Sequence, residues 1–274
     1  MSENIEIQLE PFDLAESSNM TLILGSRCID GVVIIADRKF TLSRTVGIQY
    51  RYGDKITGDL KGILTAFSGD MSTFQLFTRT LRVYANNTKA EKKEQLGQTL
   101  DEAMLKISEI QNNFYHKYEK HQYRVLMGVA SCFFPNHISS LYYFESDGRC
   151  FPLMEPKAIG SGSVYADYFL KRYWQDNKTT MKQFAQLGDF IIRYVSHDEL
   201  VLDNAVGLDN QNDKYQYPQI VYIPDEPEKH CTLDEEGKQR LDCPATIDEL
   251  SQFRKNSLNM LRTLNDIDVP WIDS

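Results

Sequence analysis

A short segment near the N-terminus most constrains how this chain can fold. Two runs of apolar residues, Leu22–Leu24 and Val32–Ile35, flank the pair Asp30-Gly31. Because aspartate and glycine tolerate the positive φ angles of tight turns, this arrangement predicts a β-hairpin. Antiparallel pairing then brings the hydroxyl of Thr21, where one strand begins, close to the carboxylate of Asp37, where the other ends. A hydroxyl and a carboxylate near a cation make an activated nucleophile, so the hairpin predicts a reactive site.

The composition excludes several classes of protein. With 274 residues, 42% of them hydrophobic, the chain can bury a large core. A net charge of −9 and the lack of a Lys/Arg cluster disfavour nucleic-acid binding. The five cysteines show neither zinc-ligand spacing nor a disulfide framework, so no metal or other cofactor is expected.

The sequence also predicts a soluble, cytoplasmic protein with no membrane contact. No apolar run approaches the roughly 20 residues that span a bilayer. Residues 1–20 are acidic and polar, unlike a signal peptide. We interpret this segment as a leader, either a surface arm or a removable propeptide.

Runs of strands alternate with pairs of helices along the chain. The apolar spacing predicts helices over 71–86, 100–120 and 180–197, another helix through Tyr165, and strands over 62–67, 123–134, 137–144 and 219–223. A last helix is predicted over 246–264, opened by a capping box of Thr246 and Glu249. This order predicts an α+β fold, a four-layer αββα sandwich of two antiparallel sheets flanked by helix pairs. Residues 21–224 form the predicted main domain, and residues 225–274 a C-terminal extension with one helix.

Several short motifs accompany the hairpin. They are Gly25, the Asp30-Gly31 turn, Ala36-Asp37-Arg38, Lys55-Ile56, Ser68-Gly69-Asp70, Gly160-Ser161-Gly162-Ser163, and Asp203 followed by Gly207. In order and spacing these motifs resemble the beta-type subunits of the proteasome, including their archaeal and bacterial relatives, in the N-terminal nucleophile hydrolase superfamily. The resemblance covers about residues 21–223 and implies the N-terminal nucleophile hydrolase fold.

The resemblance also implies a reaction. Thr21, exposed by cleavage of the leader, would attack a peptide carbonyl, with its own amine as proton acceptor. Asp37 and Lys55 match the aspartate and lysine that activate it. Ser161 matches the serine near the threonine amine, and Asp203 the aspartate that supports that serine. An ungapped count from Gly160 would favour Asp198 instead of Asp203.

The same resemblance places the remaining site groups. The backbone N–H near Ala66 would face the developing oxyanion, and Phe40, Gly53 and Leu64 would line the substrate side-chain pocket. That pocket is largely apolar, which favours cleavage after hydrophobic residues.

The sequence departs from the family pattern at three positions. Met20 stands where processed subunits carry glycine before the threonine, Val206 stands where a serine is expected, and Ala66 replaces a glycine. Each site residue also has a structural alternative. Thr21 could simply begin a strand, Asp37 and Lys55 could form a structural ion pair, and Ser161 could lie at a helix N-terminus.

Three functions therefore remain open. The first is a threonine endopeptidase that degrades unfolded polypeptides inside a homo- or hetero-oligomeric ring of proteasome-like subunits. The second is a non-catalytic subunit of such a ring that retains its leader. The third is an amidase with the same threonine chemistry and no large assembly.

Overall fold

The structure is a computed structural model. It describes residues 21–44, 47–60, 62–69, 74–75, 77–82, 102, 105–106, 109, 123–133, 138–145, 149–197, 206–209, 215–227 and 242–265. The predicted leader, Asp198 and Asp203 lie outside these residues.

The predicted hairpin is present and lies at the centre of the molecule. Strand β1 (Ile23–Cys28) pairs antiparallel with β2 (Gly31–Ala36) along its whole length. The turn consists of Ile29 and Asp30, so Gly31 opens the second strand instead of sitting inside the turn. A Cβ on Gly31 would lie 2.5 Å from the carbonyl oxygen of Ile223 on a neighbouring strand, so close backbone approach requires glycine here.

In the described residues the strands form two five-stranded antiparallel sheets, and the hairpin belongs to the first of them. The first has the order β10 (Lys157–Ile159), β1, β2, β11 (Gln219–Pro224) and β12 (Cys243–Pro244). The second has the order β5 (Ile56–Leu60), β6 (Ile63–Gly69), β7 (Tyr123–Val129), β8 (Ser140–Glu145) and β9 (Cys150–Leu153). A separate hairpin of β3 (Lys39–Arg44) and β4 (Gly47–Tyr52) lies between β2 and β5 in the chain.

Side-chain alternation along the strands creates three apolar layers. Ile23 and Ile34 of the hairpin pack between the two sheets against residues such as Leu126. Leu24 and Ile35, on the opposite face, pack against helices. Because β2 is covered on both faces, it is apolar along its whole length, whereas β1 includes Ser26 and Arg27 near the turn.

Helices cover the outer faces of both sheets. Helices α1 (Ser163–Tyr173), α2 (Met181–His197) and α3 (Ile247–Asn265) cover the first sheet. The second sheet is covered by helical residues 74–75 and 77–82, whose Phe74, Phe77 and Leu81 are buried. The structure therefore has the predicted four-layer αββα architecture.

Several element predictions differ from the structure. The strand predicted over 123–134 ends at Val129 because a 3₁₀ turn, Ser131–Phe133, follows it. The β3–β4 hairpin was not predicted, since its strands are not marked by an apolar run. Within the helix predicted over 100–120, only residues 102, 105, 106 and 109 are described; all four are helical, and Leu105 is exposed.

The C-terminal helix follows the predicted start signal. The amide of Glu249 donates to the Thr246 hydroxyl, and the amide of Thr246 donates to the Glu249 carboxylate, which is the reciprocal capping box. Helix α3 packs on α2 through Leu250, Phe253 and Leu261, and β12 pairs with β11. The division of the chain at residue 224 stays a prediction.

Within the ranges given above, no helix is long and apolar enough to cross a membrane.

Candidate functional site

The two ends of the hairpin meet as the turn signal predicted. Thr21 lies two residues before β1, Asp37 directly follows β2, and the Thr21 hydroxyl donates to Asp37 Oδ1 over 2.8 Å. Lys55, just before β5, donates from Nζ to Asp37 Oδ1 over 2.6 Å and also to the Thr21 hydroxyl oxygen. A hydroxyl, a carboxylate and a side-chain amine therefore form one mutually hydrogen-bonded group.

This group is almost sealed from solvent. The side chain of Asp37 has no exposed surface, Lys55 is 2% exposed and Thr21 is 5% exposed. Burial lowers the pKa of Lys55, opposed by the charge of Asp37 and reinforced by nearby Lys39. The lowered pKa makes Lys55 a readier proton donor than a lysine in water.

Backbone donors complete the hydrogen bonding of the Asp37 carboxylate. Oδ1 also accepts from the amide of Leu22, and Oδ2 accepts from the amides of Lys39 and Gly207. These donors fix the orientation of the carboxylate. Asp37 therefore presents one defined oxygen to Thr21 and Lys55.

The Gly-Ser loop lies against the backbone of Thr21. The Thr21 nitrogen donates to Ser161 Oγ over 3.3 Å, and the amide of Gly162 donates to the Thr21 carbonyl oxygen over 3.4 Å. Gly160 has φ +98°, and a Cβ there would lie 2.1 Å from the Thr21 carbonyl oxygen. Only glycine allows this approach, so the loop determines where Thr21 lies. Val206 is buried and neighbours Gly162.

The other predicted residues occupy distinct surroundings. The Lys55 amine lies 5.1 Å from the centre of the Phe40 ring, and Gly53 packs against the same ring. Ala66 pairs with Ile56, the residue after Lys55, and is fully buried. Leu64 packs in the apolar layer between the sheets.

Three contacts around the site were not anticipated from the sequence. The side chain of Gln219 binds the backbone at Lys55 and Ile56. Arg38 forms an ion pair with Asp54 and donates from Nε to the carbonyl oxygen of Tyr217. Arg38 could have been linked to the site from the sequence because it directly follows Asp37. Nothing in the sequence around Gln219 indicates its contact with the backbone at Lys55 and Ile56.

A family model described as "Proteasome subunit" matches residues 18–206. This match covers more than half of the chain and includes the hairpin, Lys55 and the Gly-Ser loop. The chain belongs to the proteasome subunit family. A search of curated proteins found none that matches.

A solved structure supports the fold of this proteasome-family chain. The Anbu (Gly-1) mutant from Hyphomicrobium sp. strain MC1 is similar with a TM-score of 0.61 and 13% sequence identity, covering 93% of this chain and 100% of that one. At this identity the similarity extends to the fold alone.

The arrangement suits nucleophilic chemistry at a hydroxyl. In the described part of this family member, no three His, Cys, Asp or Glu side chains are grouped so that they could hold a metal ion. The reactive groups of this site are the hydroxyl of Thr21, the carboxylate of Asp37 and the amine of Lys55.

Proposed function

We propose that this chain is a beta-type threonine endopeptidase subunit of a proteasome-like ring. The observation that carries the proposal is the contact between the Thr21 hydroxyl, Asp37 and Lys55, because a hydroxyl with an oriented carboxylate and a buried amine is an activated nucleophile. The substrates would be unfolded polypeptides that reach the chamber of the ring, in the cytoplasm.

In this proposal the leader is removed first. Hydrolysis of the Met20–Thr21 peptide bond turns the Thr21 nitrogen from an amide into a free amine. The distance from this nitrogen to Ser161 Oγ supports a role for Ser161 in holding that amine. Asp203 would support Ser161.

The free amine would then accept the proton of the Thr21 hydroxyl as Oγ attacks the substrate carbonyl carbon. The C–N bond of the substrate breaks, the leaving amine takes that proton, and an ester on Thr21 remains. Water hydrolyses this ester and regenerates the hydroxyl. The backbone N–H at Ala66 would stabilise the oxyanion of each step.

Lys55 would stabilise negative charge on Thr21 Oγ, and Asp37 would hold Lys55 in place. At about 4 Å or less, opposite charges in a partly desolvated site interact by several kcal/mol. Phe40, Gly53 and Leu64 would shape the substrate pocket, and the Phe40 ring beside Lys55 favours apolar substrate side chains.

A non-catalytic ring subunit is the second candidate. Val206 favours it, because this buried apolar side chain stands near Gly162 where the family pattern has a hydroxyl. Met20 favours it too, because a bulky residue would crowd the turn needed for leader cleavage. In that case the Thr21 nitrogen would stay in a peptide bond and could not accept a proton.

Intact mass and peptide turnover of the assembled protein separate the two candidates. The peptidase proposal expects loss of residues 1–20, a particle of ring size on a sizing column, and cleavage of fluorogenic peptides. Thr21→Ala is expected to retain the leader and lose turnover, whereas Thr65→Ala is expected to keep both. Thr65 is a suitable control because it is equally buried and bonds another hydroxyl, that of Thr57.

An assembled particle that retains Met1 and cleaves no peptide would refute the peptidase proposal and support the non-catalytic subunit. A monomer or dimer that hydrolyses a small amide would refute the ring and support an amidase. Unchanged turnover in Thr21→Ala would show that Thr21 is not the nucleophile.

A further inference from the structure

Gln219, the first residue of β11, joins the two sheets beside the candidate site. Its Oε1 accepts hydrogen bonds from the amides of Lys55 over 2.7 Å and Ile56 over 2.8 Å. Its Nε2 donates to the carbonyl oxygen of Ile56 over 2.9 Å. One side chain thus satisfies three backbone groups, the amide of Lys55 and both the amide and the carbonyl of Ile56.

The backbone of Gln219 is itself fixed to the strand that carries Asp37. Gln219 pairs with Ala36, the residue before Asp37, in the β2–β11 register. The side chain therefore connects the end of β2 in one sheet to the start of β5 in the other. These are the two places that supply Asp37 and Lys55.

Lys55 depends on this connection because the strand ladder does not hold it. β5 begins only at Ile56, and its register with β6 shifts between Thr57 and Leu60. Only Ile56 and Thr57 pair regularly before that shift. A movement of the Lys55 backbone would be passed along the side chain to Nζ.

Contacts with α3 and with Arg38 hold the start of β11 in place. The hydroxyl of Tyr217 lies 3.2 Å from Ser251 Oγ of α3, and the Arg254 guanidinium lies over the Tyr217 ring at 5.9 Å. The carbonyl of Tyr217 accepts from Arg38. Gln219 therefore projects from a segment held by α3 on one side and by the residue after Asp37 on the other.

We propose that Gln219 is a positioning residue that holds Lys55 at hydrogen-bonding distance from Asp37 and Thr21. This inference rests on the proposed peptidase function for its effect on rate. Sites whose supporting residues are loose by about 1 Å lose much of their activity, and such a displacement costs about 100-fold in rate.

The test compares Gln219→Leu, Gln219→Glu and Gln186→Leu in the assembled, full-length protein. Gln186 is a matched control because its side chain also makes three hydrogen bonds, to Phe253, Ser257 and Asn256, but at the α2–α3 contact. Turnover of a fluorogenic peptide and amide hydrogen exchange by mass spectrometry are measured for each variant.

Gln219→Leu is expected to lower kcat by about 10–100-fold, with KM within about threefold, and to speed exchange at residues 55–56. Gln219→Glu keeps the acceptor for both amides but replaces the donor to the Ile56 carbonyl with a second acceptor, so it is expected to recover only part of that kcat. Gln186→Leu is expected to keep kcat within about twofold, since it leaves the Lys55 backbone in place.

The inference is overturned if Gln219→Leu keeps the wild-type kcat, or if Gln186→Leu lowers kcat equally. If the wild-type protein cleaves no peptide, the proposed function fails and exchange alone decides the inference. Unchanged exchange at residues 55–56 in Gln219→Leu would then overturn it, and faster exchange confined to those residues would support it.

Discussion

Gly160→Ala is the substitution that most directly tests whether Thr21 is placed for reaction. Gly160 joins β10 to α1 with φ +98°, a conformation that costs an alanine about 1–2 kcal/mol. The new methyl group would lie 2.1 Å from the Thr21 carbonyl oxygen and 2.8 Å from Thr21 Cγ2. Ordinary contacts begin at 3.4 Å, so the Thr21 backbone must move by about 1.3 Å.

Two effects of different size follow from that movement. The strained φ and the overpacking together are expected to reduce the free energy of unfolding by about 2–4 kcal/mol. Because a displacement of about 1 Å at a reacting group costs about 100-fold in rate, kcat is expected to fall by about that factor. The backbone atom that moves belongs to the proposed nucleophile, so the loss should appear in kcat and not only in KM.

The assay pairs urea unfolding with fluorogenic-peptide kinetics, and Gly188→Ala is its control. A Cβ on Gly188 would lie 2.2 Å from Ile35 Cδ1 in the apolar layer under α2, with no contact to Thr21 among its nearest atoms. Gly188→Ala is therefore expected to lose about 1–3 kcal/mol of stability while kcat changes by less than about twofold. If Gly160→Ala is destabilised as expected but keeps wild-type kcat, the argument that this loop positions the reacting hydroxyl is wrong.

Three further predictions concern the buried charges and the C-terminal helix. Asp37→Ala is expected to lower the free energy of unfolding in urea by about 3–5 kcal/mol, because Lys55 stays buried but loses the carboxylate that it contacts. A loss below about 1 kcal/mol would contradict this prediction. Burial lowers the pKa of Lys55 in the folded protein below its unfolded value of 10.5, so the unfolded chain binds more protons between these two values. The free energy of unfolding of the wild type should therefore rise relative to Lys55→Met as the pH increases toward 10.5, and a flat difference in pH-dependent urea titrations would disprove the shift. Thr246→Ala removes the capping box with Glu249 and should cost about 1 kcal/mol in thermal unfolding without changing kcat, whereas a lowered kcat would show that the start of α3 matters to the site.

Local sequence signals predicted the helices and turns whose formation depends on residues close to one another in the chain. The capping box at Thr246 and the helical spacing that ends at His197 each depend only on residues of their own helix. The two helices in the structure therefore match the predicted ranges closely. The β3–β4 hairpin was missed, because its strands are not marked by an apolar run. The end of β7 at Val129 was missed for a similar reason, since an apolar run cannot show where strand pairing stops.

By itself the sequence determined that Thr21 and Asp37 would meet. A two-residue turn between two apolar runs leaves one register, and that register places Thr21 and Asp37 beside each other at the open end of the hairpin. Through the family resemblance, the motif spacing also predicted that Lys55 and Ser161 lie beside Thr21 and Asp37.

Only the tertiary structure decided how that group is held. The Gln219 side chain reaches Lys55 across 164 positions of the chain, and Gly160 fits against Thr21 from the loop that directly follows β10. No local pattern encodes such contacts, because the first exists only when the two sheets stack and the second only when β10 pairs with β1. The sequence thus determined which reactive groups are present, and the packing of the two sheets determined their distances.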